Sequence, residues 1–420
     1  MSIQEQLSSI QERIHQVRTA EVTLQLVDAN GKPIQNAAVE VQLTRHAFKF
    51  GANGFHLCSL PDPELQRLYD ARFSALLNYA TLPLYWGGYE ISPGVTRAMQ
   101  VQAMARWCQE HGIATKGHPL AWHEVFPKWA EALSYRQVLG LLEKRIQTIV
   151  ADFKGLIDIW DVFNEATVSH RFENHIGRWI AHQGRTRAVE QALRWAHAAN
   201  PAATLLYNDF NISPDFELLV EELLERGAPL HAIGIQSHMH QGTWTLERAW
   251  EVCDTYARFG LPLHFTELTV LSGMLKDRAD NDWHTVRPHW PTTPHGEAAQ
   301  AEYGEALYSL LFSHPAVEAV TWWDFADYHS WQGAPAGFVR ADMSPKPLYE
   351  RLSRLIHSEW RTHVQTATGE DGKARCRGFF GQHQVTARLS SGETLSGVFD
   401  LSREAGDRFI QVRMLNEPSG

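Results

Sequence analysis

Between Phe48 and about His357, short apolar runs alternate with amphipathic helical stretches eight times. The runs fall at 48–53 (FKFGAN), 77–83 (LNYATLP), 113–118 (IATKGH), 157–164 (IDIWDVFN), 204–209 (TLLYND), 232–237 (AIGIQS), 262–267 (PLHFTE) and 318–324 (EAVTWWD). Strands of a parallel sheet are covered on both faces, so they read as continuous apolar runs rather than as alternation. Helix signals separate them: Ser134 opens SYRQVLGLLEKRIQTIV, Ser213-Pro214 opens a segment that stops at Gly227, and Thr245 opens one that stops at Gly260. Eight strand–helix units predict an α/β fold, a closed (β/α)8 TIM barrel. A doubly wound sheet would use the same alternation, but no GxGxxG follows a strand and no GxxxxGK[ST] occurs, which argues against a nucleotide site.

The flanks differ from the barrel. Ile3, Leu7, Ile10, Ile14 and Val17 share one helical face, giving an N-terminal amphipathic helix over 1–20 that is expected to act as an intramolecular clamp. Two alternating runs flank Asn30-Gly31, a strong hairpin signal, so 21–45 is expected to form a β hairpin unit. The barrel is placed at 46–358, and 359–420 returns to strands with Gly-rich turns, a small β appendage that could pair with the 21–45 unit. The appendage has no aromatic row of the kind a carbohydrate-binding face would need, so a structural role is expected.

Lys plus Arg number 38 against 48 Asp plus Glu, a net charge of −10, with no basic run. Nucleic acid and anionic membrane are therefore poor partners. The first twenty residues contain no continuous apolar stretch and do not read as a signal peptide, from which a cytoplasmic location is expected. Cys58, Cys108, Cys253 and Cys376 show no CxxC and no scaffold spacing.

In such barrels the reacting groups sit where strands give way to loops. The fourth run ends in Asn164-Glu165 and the seventh in Glu267, two carboxylates at one barrel mouth, as an acid/base and nucleophile pair for glycoside hydrolysis requires. Gln236 and His238 end the sixth run, His118, Trp122, His123 and Trp129 follow the third, and Trp323 and Trp331 follow the eighth. Rings beside amides, imidazoles and carboxylates suit a sugar, whose C–H faces stack while its hydroxyls need hydrogen bonds. His238-x-His240, and His118 with His123, suggest a metal site, but no third and fourth ligand fall at the strand ends, so neither metal nor cofactor is expected.

Six segments in order carry a family resemblance: GHPLAWHEVFPKW (117–129), WDVFNEA (160–166), LYNDFNI (206–212), GIQSH (234–238), HFTEL (264–268) and TWWDFADYHSWQGAPAGF (321–338). Together they resemble glycoside hydrolase family 10, the retaining endo-β-1,4-xylanase family. The resemblance implies Glu165 as general acid/base and Glu267 as nucleophile. It further implies Asn164 on the sugar 2-hydroxyl, Gln236 and His238 orienting the nucleophile, and His123, Trp129, Trp323 and Trp331 walling the cleaved-sugar subsite. Asn208 and Asp209 are expected to be mainly structural. The implied partner is a β-linked oligosaccharide or polysaccharide such as xylan. One stretch departs: after the second strand the family carries a Glu-Asn pair and then a Lys before Trp, gripping the non-reducing-side xylose, whereas this chain has Ala80-Thr81-Leu82-Pro83-Leu84-Tyr85-Trp86. Each lost contact would cost about 1–3 kcal/mol with the usual sugar, so the same mechanism on another β-linked sugar or a short oligosaccharide is the alternative. A catalytically retired carbohydrate-binding barrel is the third. The loop 271–294, rich in Asp, His, Trp and Pro, could supply new contacts.

Overall fold

A computed structural model describes residues 3–403 and 408–416, with side chains from residue 9 onward. After a helix at Ile3–Arg18, strands β1 (Thr19–Val27) and β2 (Ala38–His46) precede eight strands that close on one another. These are β3 (Lys49–Asn53), β4 (Tyr79–Pro83), β5 (Ala114–His118), β6 (Ile159–Asn164), β7 (Thr204–Asp209), β8 (Ala232–Met239), β9 (Leu263–Val270) and β10 (Val317–Trp322). Neighbours pair in parallel in the order β3 to β10, and β10 returns to β3. The predicted (β/α)8 barrel is thus the fold, with helices between successive strands. Ser134 forms a capping box with Gln137, and the Thr245 hydroxyl accepts from the Arg248 N–H at 3.1 Å. Ser213 makes no side-chain cap, and its helix starts on Pro214.

Two compact units emerge, one of residues 49–311 with 316–349, the other of the chain up to Phe48 with 312–315 and everything from Glu350. The second unit therefore joins segments that the sequence reading separated. Its remaining strands are β11 (His363–Ala367), β12 (Lys373–Phe379), β13 (Gly381–Arg388), β14 (Thr394–Leu401), β15 (Phe409–Arg413) and β16 (Leu415–Asn416). One sheet runs β12-β1-β15 and the other β11-β2-β13-β14-β16. Their inner faces share a core that includes Val22, Leu24, Leu26, Val39, Val41, Val385, Phe399 and Val412.

The expected 21–45 hairpin is corrected on this point. Asn30-Gly31 does turn the chain, with Gly31 at φ +82° and the Gly31 N–H donating to the Asp28 carbonyl at 3.0 Å. Only one bridge, Val27 to Pro33, follows, and β1 and β2 lie in different sheets. Pro33 offers no N–H to continue a ladder, and β1 instead pairs antiparallel with β12 and in parallel with β15. In the N-terminal helix Ile10 and Ile14 are buried, while the Ile3 and Leu7 side chains lie outside the described ones. The helix ends on Arg18, whose guanidinium donates to the carbonyls of Phe312 and His314 at 2.5 and 2.7 Å.

Within the barrel a close approach fixes the end of β5. A Cβ on Gly117 would lie 2.2 Å from the ring of Trp160, which is fully buried on the neighbouring strand. Overpacking of this kind costs about 1–3 kcal/mol. Gly117→Ala is therefore expected to lower the thermal midpoint, measured by calorimetry or circular dichroism, whereas alanine at the exposed helical Gly140, whose Cβ would meet nothing, should not lower it.

Candidate active site

The carboxyl-terminal ends of β5 to β10 converge on a cavity of about 1,210 Å³. Glu165 follows β6 with a left-handed backbone, φ +60°, and its N–H is held by the Asn208 carbonyl of β7 at 2.8 Å. Strain of this kind collects at functional sites. The ladder between β8 and β9 shifts register between Ile235 and Gln236, bringing Gln236 opposite Glu267. A second shift, between Phe265 and Leu268 in the β9–β10 ladder, spans Glu267 itself. Such irregularities re-aim side chains that a regular pleat would alternate.

Both carboxylates are almost fully buried and line the same cavity. Glu165 Oε1 accepts from Gln236 Nε2 at 2.8 Å and from Asn164 Nδ2 at 3.0 Å, and its Oε2 accepts from the Trp122 indole at 3.1 Å. Glu267 Oε1 accepts from Asn208 Nδ2 at 2.7 Å, and its Oε2 lies 3.1 Å from His238 Nε2. Asn208 Nδ2 also donates to Asn164 Oδ1 at 2.8 Å, so one chain of amides joins the two acids.

Their electrostatic settings are opposed. Burial, followed by the nearby charge of Glu267, raises the Glu165 carboxyl well above its usual range, against the Gln236 hydrogen bond. Burial alone would raise Glu267 too, but the charge of His118, the His238 hydrogen bond and the more distant Lys116 outweigh it and hold Glu267 below its usual value. His118 Nε2 lies 3.8 Å from Glu267, and its Nδ1 is 2.8 Å from Asp161 Oδ2. Lys116 Nζ lies 2.6 Å from the same Asp161 oxygen, and neither of those two side chains is exposed. A buried acid, Asp161, thus keeps the Lys116 ammonium and the His118 imidazole in place behind Glu267.

The walls are aromatic. Trp323 stands edge-on to His118 and His238 with ring centroids 5.4 and 6.0 Å apart, and Trp331 lies 4.6 Å from His238. Trp283, from the 271–294 loop, stacks on Trp331 at 5.9 Å. That loop also brings Arg278, Asn281 and His284 to the cavity. His284 lies 4.0 Å from Glu124, which follows β5 on the opposite side of the barrel, and both line the cavity.

Five of the seven expected binding residues, Asn164, Gln236, His238, Trp323 and Trp331, reach the cavity. The other two do not. His123 is buried against Phe172 at 4.3 Å, outside the cavity wall, and burial pushes its pKa down to about 3. Trp129 donates to the Glu90 carbonyl at 2.9 Å and lines a separate groove with Gly87, Ile91 and Phe126. His118 and Trp122, five and seven residues earlier, do line it. Gln236 is also reassigned, since its amide holds Glu165 rather than the nucleophile position. Asn208, expected to be structural, holds Glu267 directly, whereas Asp209 does pair structurally with Thr167 and Tyr207. Inward phase was the available signal for Asn208: it is paired in register with Asn164 across the β6–β7 ladder. Among the described residues, His123, Glu124 and Glu165 form the group able to offer three metal-ligand atoms within 4.8 Å of one another, a different set from the HxH pair considered in the sequence.

The profile of Glycosyl hydrolase family 10 matches residues 84–354. The anti-sigma-I factor RsgI6 of Acetivibrio thermocellus is 26% identical over 94% of this chain, and this chain spans 48% of that relative's length. An endo-1,4-beta-xylanase of Geobacillus stearothermophilus is 33% identical over 53% of this chain and 68% of its own. Native xylanase 10B of Thermotoga maritima superposes with a TM-score of 0.62 at 25% identity, covering 74% of this chain and 96% of the xylanase.

Because Asp161 titrates lower in the folded chain than in the unfolded one, its stabilising contribution is complete above about pH 4 and is lost as the pH falls through the folded value. Urea denaturation between pH 7 and pH 3 should show this acid-side loss, and Asp161→Asn should flatten it. Lys116→Met leaves the Asp161 carboxylate without its nearest counter-charge and is expected to cost about 3–5 kcal/mol at pH 7.

Proposed function

The chain belongs to glycosyl hydrolase family 10, and on that premise we propose that it is a retaining β-glycosidase of endo-1,4-β-xylanase type, with Glu267 as nucleophile and Glu165 as general acid/base. The observation that carries this reading is the opposed settings of two carboxyls in one cavity, Glu165 pushed above its usual range by burial and by Glu267, and Glu267 held below its own by His118, His238 and Lys116. In the first step Glu267 Oε attacks the anomeric carbon as Glu165 gives its proton to the departing glycosidic oxygen, leaving a glycosyl ester on Glu267 and a free alcohol. Esterification removes the Glu267 charge that had raised Glu165, so the now ionised Glu165 can take a proton from the incoming water. Water adds to the anomeric carbon, Glu267 leaves as carboxylate, and Glu165 is protonated again. Asn208 and His238 hold the nucleophile, while Gln236, Asn164 and Trp122 hold the acid. On this reading Asn164, Trp323 and Trp331, which line the cavity, meet the sugar with one amide and two indoles.

A second reading, the same chemistry on a different β-linked sugar or a short oligosaccharide, is favoured by two observations. Thr81 to Leu84 at the end of β4 present no charged or amide group, and Glu124 and His284, from loops after opposite strands, approach to 4.0 Å at the cavity and narrow it. A retired binding barrel would need neither the ionised nucleophile nor the protonated acid.

Hydrolysis of aryl β-xyloside, xylobioside, glucoside and cellobioside beside polymeric xylan tests both readings. Preference for xylobioside and xylan is expected for the first, and activity confined to monosaccharide glycosides or to another sugar would replace it by the second. Glu267→Ala should lose at least about 10⁴-fold in kcat; turnover like the wild type would remove Glu267 from the mechanism. The kcat/KM profile should be bell-shaped. Its acid limb, below the usual carboxylate range, follows protonation of Glu267, and its alkaline limb, well above that range, follows loss of the Glu165 proton. Glu165→Gln should abolish the alkaline limb in whatever activity remains on an activated aryl glycoside.

A further inference from the structure

Asp324 follows β10 directly after Trp323 and is conspicuous on three grounds. Its backbone is left-handed at φ +73°, a conformation that costs a non-glycine residue about 1–3 kcal/mol. Its carboxyl is buried, only 7% exposed, and yet lines the cavity. Burial pushes its pKa up to about 7. Two donors meet it: the Trp331 N–H at 3.0 Å on Oδ2, and the side-chain amide of Asn53, itself buried where β3 ends. A carboxylate has about four acceptor positions, so two remain for whatever fills the cavity.

The place of this pair matters. β3 is hydrogen-bonded to β4 on one side and β10 on the other, so Asn53 and Asp324 border the sector in which β4 and the residue after it offer only Thr81, Leu82, Pro83 and Leu84. Tyr85 ties that sector to the reacting centre: its ring lies 5.3 Å from His118 and 5.7 Å from Trp122, and its hydroxyl feels Glu267, Glu165 and Asp324. The family match begins at residue 84 and so leaves out β3, Asn53 and all of β4.

We propose that Asp324, held by Asn53, is a specificity-determining residue that accepts hydrogen bonds from the hydroxyls of the glycone sugar, supplying from β10 and β3 the polar grip that β4 lacks. The ligand class is an uncharged β-linked pyranoside with a vicinal diol at that position, since a uronic acid would bring a further negative charge to a cavity that already holds the Glu267 carboxylate beside the Asp324 carboxyl. The inference deepens the glycoside-hydrolase reading and rests on it for the identity of the reacting sugar.

The test compares the wild type with Asp324→Gly and Asp324→Asn. Glycine suits the left-handed backbone, so Asp324→Gly should keep its thermal midpoint within a few degrees of the wild type. Its KM for aryl β-xylobioside, or for aryl β-cellobioside if the wild type turns that over faster, should rise at least tenfold while kcat changes less than threefold. Asp324→Asn, which keeps one acceptor, should recover part of that loss. An unchanged KM in a folded Asp324→Gly variant would overturn the proposal. Calorimetric titration with xylobiose and cellobiose separates this from the hydrolase reading. Tenfold weaker binding to Asp324→Gly in the absence of any wild-type turnover would uphold Asp324 and sink the hydrolase reading, and equal binding to both proteins, or none to either, would overturn the role of Asp324.

Discussion

Two carboxyl groups buried at the mouth of one barrel cannot both be ionised cheaply, and their surroundings push the two in opposite directions, Glu165 up and Glu267 down. The difference is not intrinsic to the residues, since both are glutamates at strand ends with little exposure. It comes from what lies behind them. Glu267 has His238 beside it and His118 and Lys116 further back, with Asp161 fixing the last two. Glu165 has neutral amides and an indole for direct partners, so its strongest charged neighbour is Glu267 itself. In the proposed mechanism, the coupling between the two acids is also what would let Glu165 act as a base once Glu267 is esterified.

That arrangement depends on barrel closure. Lys116 on β5, Asp161 on β6, Asn208 on β7, Gln236 on β8 and Glu267 on β9 are far apart in sequence, and only a closed parallel sheet brings their strands side by side. The register shifts at Gln236 and near Glu267 then turn these side chains toward one cavity. Gly117 lets β5 pass close to Trp160, which keeps His118 within reach of both Asp161 and Glu267.

The strands were legible in the sequence because burial on both faces leaves uninterrupted apolar runs, and all eight lie within a few residues of their expected places. That Glu165 and Glu267 share one cavity was legible for the same reason: an acid at the end of such a run has few structural explanations. What could not be read is direction within a loop. Residues 118 to 129 hold two histidines and two tryptophans, and no periodicity tells which face the cavity; packing against Phe172 and Glu90 withdraws His123 and Trp129 and leaves His118 and Trp122. The hairpin at Asn30-Gly31 failed differently. The turn formed as its residues dictate, but the partners of β1 come from more than 340 residues away, a pairing that local chemistry does not encode.

Chemistry and recognition occupy different sectors of the same mouth. The reacting groups and their supports sit on β5 to β9 and hold one another through hydrogen bonds and buried charges, so a substitution in one would disturb the others. The ends of β3, β4 and β10 and the loop after β9 carry no part of that relay, which leaves them open to change. The apolar end of β4 and the buried, strained Asp324 are two sides of one redistribution: hydrogen-bonding capacity absent from one strand end is present two strands away, within the same sector of the cavity. A backbone strain and a buried acid are both costly, and a binding site is where such costs are offset, because a bound sugar supplies the hydroxyl donors that the protein leaves out.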